Sequence, residues 1–478
     1  MGSSRGYWKR SFRPSRVSFC KVLGFVSLGD DPLTAQNSLY VQEDPAGNIA
    51  QRMVVKTTAV PHSVWIQARQ WHVDERDPTK RQHMEIKVME AIAGVEGDHK
   101  CVRLLHYTTD HSTFSYRLYT GYHPRGDLSN FTAPWNYYMT NDAIIPEPVL
   151  WKWLEDLTEA SLLLSTGAEP LSAAVDGWKK IVHCDIKPSN VFLDNPDAEI
   201  WRSYPQAVVG DFGLSIFTDD RDPFNPSWYN SPGTGTPGWK PPEQVVFVKS
   251  SRRIDDTGKL GDASNVWAIG AVVMRLMNRE MDPGQPHYNR EVKGQMEPQL
   301  TDDAREHYSK YLCDLVDECV RFRTYHRVEL PDLWERIARY TGETNAEYDP
   351  DVDGTNEEKV EALKHSIREQ KYAEGSDETR LVHGEEKYRI GMAVNDFEEQ
   401  GDGGQNLSDD NLDDDDQQGG ELGAENPYGT LLGGMGLEEI LGEEDQSEGH
   451  GRRVYPGDPG FGGRDIDEDY DNDEDDYE

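Results

Sequence analysis

The sequence predicts an α+β fold of two lobes, a small β-rich lobe followed by a larger α-helical lobe, with a disordered acidic tail behind them. Three observations lead there. β-Branched and alternating runs dominate from about residue 17 to 120, helical periodicity dominates from 146 to 339, and beyond about 341 the composition shifts to Asp, Glu, Gly, Asn and Gln. The expected boundaries are a basic, disordered extension over 1–16, a folded domain over 17–340 with lobes at about 17–120 and 124–340, and the tail over 341–478.

Each element has a local reason. QRMVVKTTAV (51–60) is β-branched and reads as a strand with Lys56 inside it. MEIKVMEAI (84–92) sets Ile86, Met89 and Ile92, with Val88 beside them, on a helical stripe that has Glu85 near its start. PEPVLWKWLEDLTEASLLL begins at a proline suited to a helix's first turn. AIGAVVMRLM (268–277) is short and contains Arg275, so it reads as a buried core helix and not as a membrane span. Within the tail, Val360, Leu363 and Ile367 stand at i, i+3, i+7, and a second apolar island runs from Leu431 to Leu441. The sequence around these islands buries too little to offset its ordering entropy. No repeat is visible, which argues against a solenoid or propeller.

Composition excludes several classes of function. The 478 residues carry a formal net charge of −39 and a mean hydropathy of −0.77. Residues 341–478 hold 43 acidic against 10 basic side chains, a net of −33, which leaves −6 for residues 1–340. Such a tail would be repelled by phosphates, so no nucleic-acid partner is expected. The five cysteines form no C-x-x-C pair, which suits a reducing compartment and speaks against a zinc site. The first twenty residues lack the apolar run of a signal peptide, and Gly6 stands where the myristoylation pattern needs Ser or Thr. The expected setting is intracellular, cytoplasmic and/or nuclear, with no membrane partner.

The most informative string is HCDIKPSNVFLD (183–194). Its spacing has the layout of a phosphoryl-transfer loop, in which Asp185 orients and deprotonates a hydroxyl, Lys187 neutralises charge on the moving phosphoryl group and Asn190 holds a magnesium ion. Downstream, VVGDFGLS supplies Asp211 as an acid for magnesium, Phe212 as an apolar anchor and Gly213 as a backbone turn. The 26 residues from Asp185 to Asp211 are a long separation, and the surplus is expected in a surface loop around 195–206.

With VVK at Lys56, the helix at Glu85, YTGYHPRGDL (119–128), GTPGWKPPE (235–243), SNVWAIG (264–270) and Arg327, the chain resembles the eukaryotic protein kinase superfamily, serine/threonine type, over roughly 17–339. PEPVLW, the VFL after Asn190 and the GW before Glu243 are further similar to fungal kinase-like proteins that lack the catalytic-loop arginine. A lone lysine in a strand usually faces solvent, and a lone glutamate opening a helix usually favours only its dipole. Six positions matching in order outweigh those readings.

The resemblance implies a site for ATP and Mg2+. Lys56 would bind the α and β phosphates and Glu85 would pair with it, while Gly24 and Gly29 would approach the phosphates. Val54 would cover the adenine, Thr120 would be the gatekeeper, and backbone groups of Gly121 and His123 would meet the adenine edge. Asn190 and Asp211 would hold the metal, with Asp185 and Lys187 catalytic. Phe212, Gly213, Thr236 and Glu243 would belong to the activation segment, Glu243 pairing with Arg327. Lys187 within IKPSN and Thr236 in GTP resemble the serine/threonine branch, implying protein substrates with Ser or Thr acceptors. Asp127 either contacts a basic residue of the substrate or caps a helix.

Three departures keep a second reading open. Val26 replaces the middle glycine in LGFVSLG, so the stretch also reads as a plain hairpin. Cys184 stands where many kinases have an arginine that receives an activation-segment phosphate, a bond a thiol cannot make. Asn265 replaces an aspartate that braces the loop, losing charge assistance. The alternative is therefore a catalytically impaired kinase-fold scaffold. The Leu431–Leu441 island, with its acidic flanks, offers a docking element for a protein partner.

Overall fold

The computed structural model of the chain describes residues 21–26, 35–67, 70–74, 77–131, 144–170, 172–197, 199–218, 235–245, 248–249, 252–253, 259–279, 287–289, 294–342, 356–373 and 388–393. The expected extension 1–16, Gly29, the segment 219–234 and the tail from 394 onward, with its Leu431–Leu441 island, lie outside the described residues.

The first lobe is built on alternation. Its elements are β1 (Lys21–Val26), β2 (Ala35–Glu43), β3 (Ile49–Ala59), α1 (His62–Trp65), β4 (Trp71–Asp74), β5 (Asp77–His83), α2 (Met84–Ile92), β6 (Leu104–Asp110) and β7 (Ser115–Thr120). Five strands form one antiparallel sheet in the order β1-β2-β3-β7-β6, and β4 with β5 makes a separate hairpin. In β3, Val54 and Lys56 are two residues apart and so share a face. Directly opposite Val54 lie Leu39 on one side and Thr120 on the other, which puts these residues on that same face. The helix α2 buries Ile86, Val88, Met89 and Ile92, the stripe expected from the sequence, together with Glu85.

Helices dominate from residue 147. They are α3 (Glu147–Thr166), then, after the short strands β8 (Lys180–Val182), β9 (Val191–Asp194), β10 (Gln206–Val209) and β11 (Ile216–Thr218), α4 (Asp262–Asn278), α5 (Asp302–His307), α6 (Lys310–Cys319), α7 (Leu330–Thr341) and α8 (Glu357–Tyr372). The helix α3 starts after Pro146 and stops at Gly167, whose φ of 69° favours glycine. A Cβ at Gly167 would also stand 2.4 Å from the Trp178 ring. Residues on nearly every side of α3 and α4 are buried, so these two helices form the centre of the second lobe. Asp156 of α3, fully buried, takes Lys100 at 2.8 Å, Lys152 at 2.5 Å and the Ala207 N–H at 2.9 Å, tying α3 to β10.

Two expectations are corrected here. The residues around 195–206 are not a surface loop: Trp201, Ser203 and Tyr204 are buried. They are covered by α8, with the Trp201 N–H donating to the Lys371 carbonyl at 2.6 Å and the Tyr204 hydroxyl donating to Gln370 Oε1 at 3.0 Å. The folded part accordingly does not stop at 340. Val360 and Ile367 are fully buried, so the apolar stripe seen in the acidic sequence docks a helix on the second lobe. Residues 388–393 also join the fold, bonding to the start of β3. Among the described residues no helix is long and apolar enough to cross a membrane.

Candidate active site

Lys56 is the centre of the site. Its Nζ donates to Glu85 Oε1 at 2.8 Å and to Asp211 Oδ1 at 2.6 Å, joining β3, α2 and the turn after β10. Burial works against the ammonium, but the carboxylates of Asp211 and Glu85 outweigh it and hold Lys56 well above the ordinary lysine range. Burial likewise opposes the Asp211 carboxylate, yet the Lys56 charge brings it down to about 2. The other Glu85 oxygen accepts from the Tyr116 hydroxyl at 2.5 Å. Tyr116 is a member of the site that the motifs do not name; the Tyr116, Leu118, Thr120 alternation of β7 is its signal. Gly213 is held close by, and a Cβ there would meet Asp211 at 3.2 Å and Glu85 at 3.6 Å.

The loop 183–190, expected to be catalytic, lies between β8 and β9. One Asp185 oxygen accepts from the Thr236 N–H at 2.8 Å, and the other accepts from Asn190 Nδ2 at 3.1 Å and stands 3.2 Å from Lys187 Nζ. Lys187 also donates to the Thr236 hydroxyl at 2.6 Å, so Thr236 meets both residues. The hairpin of β9 and β10 pairs Val191 with Val209, which sets Asn190 beside Gly210, and the Gly210 N–H donates to the Asn190 carbonyl at 2.9 Å. Asn190 and Asp211 therefore occupy one end of one hairpin. Because Asn190 gives its amide nitrogen to Asp185, its amide oxygen is the atom it can offer a cation. An ionised carboxylate and an amide oxygen are hard donors that suit Mg2+.

The loop is braced from below by uncharged groups. Asn265 Oδ1 accepts from the His183 N–H at 3.0 Å, and its Nδ2 donates to the Ile181 carbonyl at 3.1 Å. His183 gives Nε2–H to the Gly210 carbonyl at 3.0 Å and receives the Asp185 N–H on Nδ1 at 3.3 Å, so one neutral tautomer satisfies both bonds. Burial pushes its pKa down, in keeping with that neutral form. Cys184 has a φ of 65° and is buried, its thiol directed at the Val182 carbonyl at 3.7 Å and pushed up by burial. Its carbonyl is held by Gln244 Nε2 at 2.8 Å. The residues that follow Phe212 are fastened by β11 pairing with β8, a backbone contact independent of any phosphate. Glu243 and Arg327 form a fully buried two-bond pair at 2.6 and 2.7 Å, as the resemblance implies.

The segment expected as the hinge follows β7. Thr120 is buried opposite Val54, and the Gly121 N–H donates to the Arg103 carbonyl at 3.1 Å. His123 stands 3.3 Å from Asp194 and stacks on Phe192, which anchors the hinge to β9. Phe212 is fully buried with its ring 5.0 Å from that of His183. Gly24 lies inside β1 opposite Leu39, next to a register irregularity. Asp127 accepts from the Ser129 N–H at 2.9 Å, the capping behaviour of the simpler reading.

Residues 66–336, more than half of the chain, match the protein kinase domain. The serine/threonine-protein kinase Nek2 of Mus musculus is 26% identical over 160 residues, covering 34% of this chain and 31% of the relative. The G2-specific protein kinase fin1 of Schizosaccharomyces pombe is 28% identical over 167 residues, 33% of this chain and 19% of the relative. The G2-specific protein kinase nim-1 of Neurospora crassa is 23% identical over 248 residues, 48% of this chain and 25% of the relative. The chain thus spans less than a third of the length of these relatives.

Proposed function

Because this chain belongs to the protein kinase domain family, we propose that it is an ATP-dependent serine/threonine protein kinase, transferring the γ-phosphoryl group of Mg-ATP to Ser or Thr hydroxyls of protein substrates. The observation that carries this reading is the double contact of Lys56 with Glu85 and Asp211, since it brings three chain-distant charged groups into one arrangement.

In the proposed mechanism Lys56, oriented by Glu85, binds the α and β phosphates. Asp185 accepts the proton of the substrate hydroxyl, its carboxylate aimed by the Thr236 N–H and Asn190. Lys187 lies within reach of Asp185 and neutralises charge near the transferred group. Asn190 and Asp211 would hold Mg2+, which would supply positive charge to offset that of the phosphates. Half-buried Val54, backed by buried Leu39, supplies apolar surface for the base, and Gly121 and His123 its backbone partners. Gly24 and Gly29 would bring backbone N–H groups to the phosphates. Most of the rate enhancement is then positioning and charge.

The kinase domain is proposed to run through α8, with the acidic sequence beyond 393 available to a protein partner. Buried, unpaired Cys101, Cys184, Cys313 and Cys319 support a reducing, intracellular setting, cytoplasmic or nuclear. The scaffold alternative is favoured by Val26 and Cys184, whereas Asn265 keeps both of its loop contacts. Transfer of label from γ-labelled ATP to a generic protein acceptor, by the full chain with magnesium, distinguishes the two. Activity that Lys56→Met and Asp185→Asn abolish supports the enzyme; nucleotide binding without transfer supports the scaffold.

A further inference from the structure

We propose that the stretch 388–393, more than 260 residues beyond the hinge, supplies part of the nucleotide site, with Tyr388 closing the hinge-side edge of the base pocket. The inference rests on the nucleotide site proposed above and adds to it a residue beyond the stretch 66–336 that matches the protein kinase domain.

Backbone bonds fix the stretch on the first lobe. The Ile49 N–H donates to the Met392 carbonyl at 2.8 Å, the Gly391 N–H returns a bond to the Ile49 carbonyl at 2.8 Å, and Asn48 bridges Ala393 in antiparallel fashion. Gly391, at φ 85°, provides the turn that lets both bonds form. Since α8 is packed on the second lobe, the C-terminal segment touches both lobes.

Side chains then bring Tyr388 to the cleft face of the sheet. Arg52 is two residues before Val54 and four before Lys56, so it shares their face of β3. Its guanidinium donates to the Tyr388 carbonyl at 2.6 Å and lies 5.0 Å from the ring centre of Tyr122, a hinge residue. The Tyr388 and Tyr122 rings meet edge to face at 6.3 Å. Both pack, with Val54, against Leu39, Val41 and Ile49. Leu39 and Val54 are the pair opposite one another on the face that carries Lys56. Leu39, Val41 and Ile49 are fully buried, so half-buried Val54, Tyr122 and the phenol ring of Tyr388 are the side chains of this cluster that would meet a flat heteroaromatic base, beside the hinge that would read the base's edge.

The test is titration of the full chain with a fluorescent ATP analogue, N-methylanthraniloyl-ATP, in the presence of magnesium. Tyr388→Ala is expected to weaken binding about 3- to 10-fold, the scale of a lost aromatic contact, while Tyr388→Phe, which keeps the ring, binds within about twofold of the unaltered chain. The KM for ATP should rise by the same factor with kcat little changed, while Tyr388→Phe, which keeps the packing on Leu39, Val41 and Ile49, should leave both KM and the thermal midpoint as in the unaltered chain. Unchanged affinity in Tyr388→Ala overturns the proposal. Tighter binding overturns it too, because the ring would then obstruct the site. If the unaltered chain binds no analogue, the nucleotide reading itself fails and the inference falls with it.

Discussion

Asn265 holds the backbone of His183 as an aspartate could only in part: its Oδ1 takes the His183 N–H at 3.0 Å while its Nδ2 gives a bond to the Ile181 carbonyl at 3.1 Å. A carboxylate would meet that carbonyl with an acceptor. The expected weakness of an uncharged brace is therefore offset by a second bond, and the two contacts span the chain that leads into Asp185. Asn265→Ala orphans two buried backbone groups, and each should cost about 1–3 kcal/mol of unfolding free energy. Denaturant titration reads the loss; a midpoint unchanged from the parent would show that Asn265 is not a brace.

Stability should fall on the acid side of neutrality. His83, buried and stacked 4.2 Å from the Tyr116 ring, is pushed down to about 4 by burial and by the Lys56 ammonium. An unfolded histidine protonates near 6.5, so the unfolded state binds the proton first. Stability present above about pH 6.5 is then lost as pH falls towards about 4, by about 3 kcal/mol from this group. His183, also pushed down by burial, adds to the slope in the same direction. His83→Gln should flatten the pH dependence of the urea midpoint between those limits, and an unaltered slope would rule out His83 as its source.

Removing α8 should destabilise the second lobe although the helix lies in strongly acidic sequence. Truncation at residue 345 exposes the partners of Val360 and Ile367, a loss of roughly 3–6 kcal/mol for two fully buried aliphatic side chains. It also strips the cover from Trp201 and Tyr204. Chains ending at 345 and at 373 compared by thermal unfolding decide the matter, the shorter one melting well below the longer. Equal midpoints would return α8 to the tail.

Phosphatase treatment should leave the activity nearly intact. Cys184 has no charge to offer a phosphate, its thiol is pushed up by burial and directed at the Val182 carbonyl, and the segment after Phe212 is fastened through β11 and β8. The transfer rate should change by less than about twofold after treatment, the clasp of phosphate on arginine being absent. Collapse of the rate would show that a phosphate on another cation does the fastening.

The sequence makes the chemical centre readable because each part of it is carried by a short local pattern. Lys56 sits in a β-branched run, Glu85 opens a stripe of Ile86, Met89 and Ile92, and Asp185, Lys187 and Asn190 fall within six residues. What stays hidden depends on partners far apart in the chain. The stripe of Val360, Leu363 and Ile367 is visible at helical spacing, but nothing near it announces Trp201 and Tyr204, and the acidic surroundings suggest solvation. For the same reason residues 195–206 look like a surface loop until α8 covers them. Tyr116 is one of two tyrosines in β7; the alternation there hints at its face, but the register of β7 against β3 is what gives it to Glu85. Tyr388 has no local signal at all.

The most direct measurement is transfer of label from γ-labelled ATP to a generic protein acceptor by the full chain with magnesium, run beside Asp185→Asn. Transfer to serine and threonine that falls about 100-fold or more in Asp185→Asn is the predicted result, the scale of a lost general base. Equal transfer by the two proteins, or none by the unaltered chain while it binds the nucleotide, would contradict the assignment of Asp185 as the base of a working kinase.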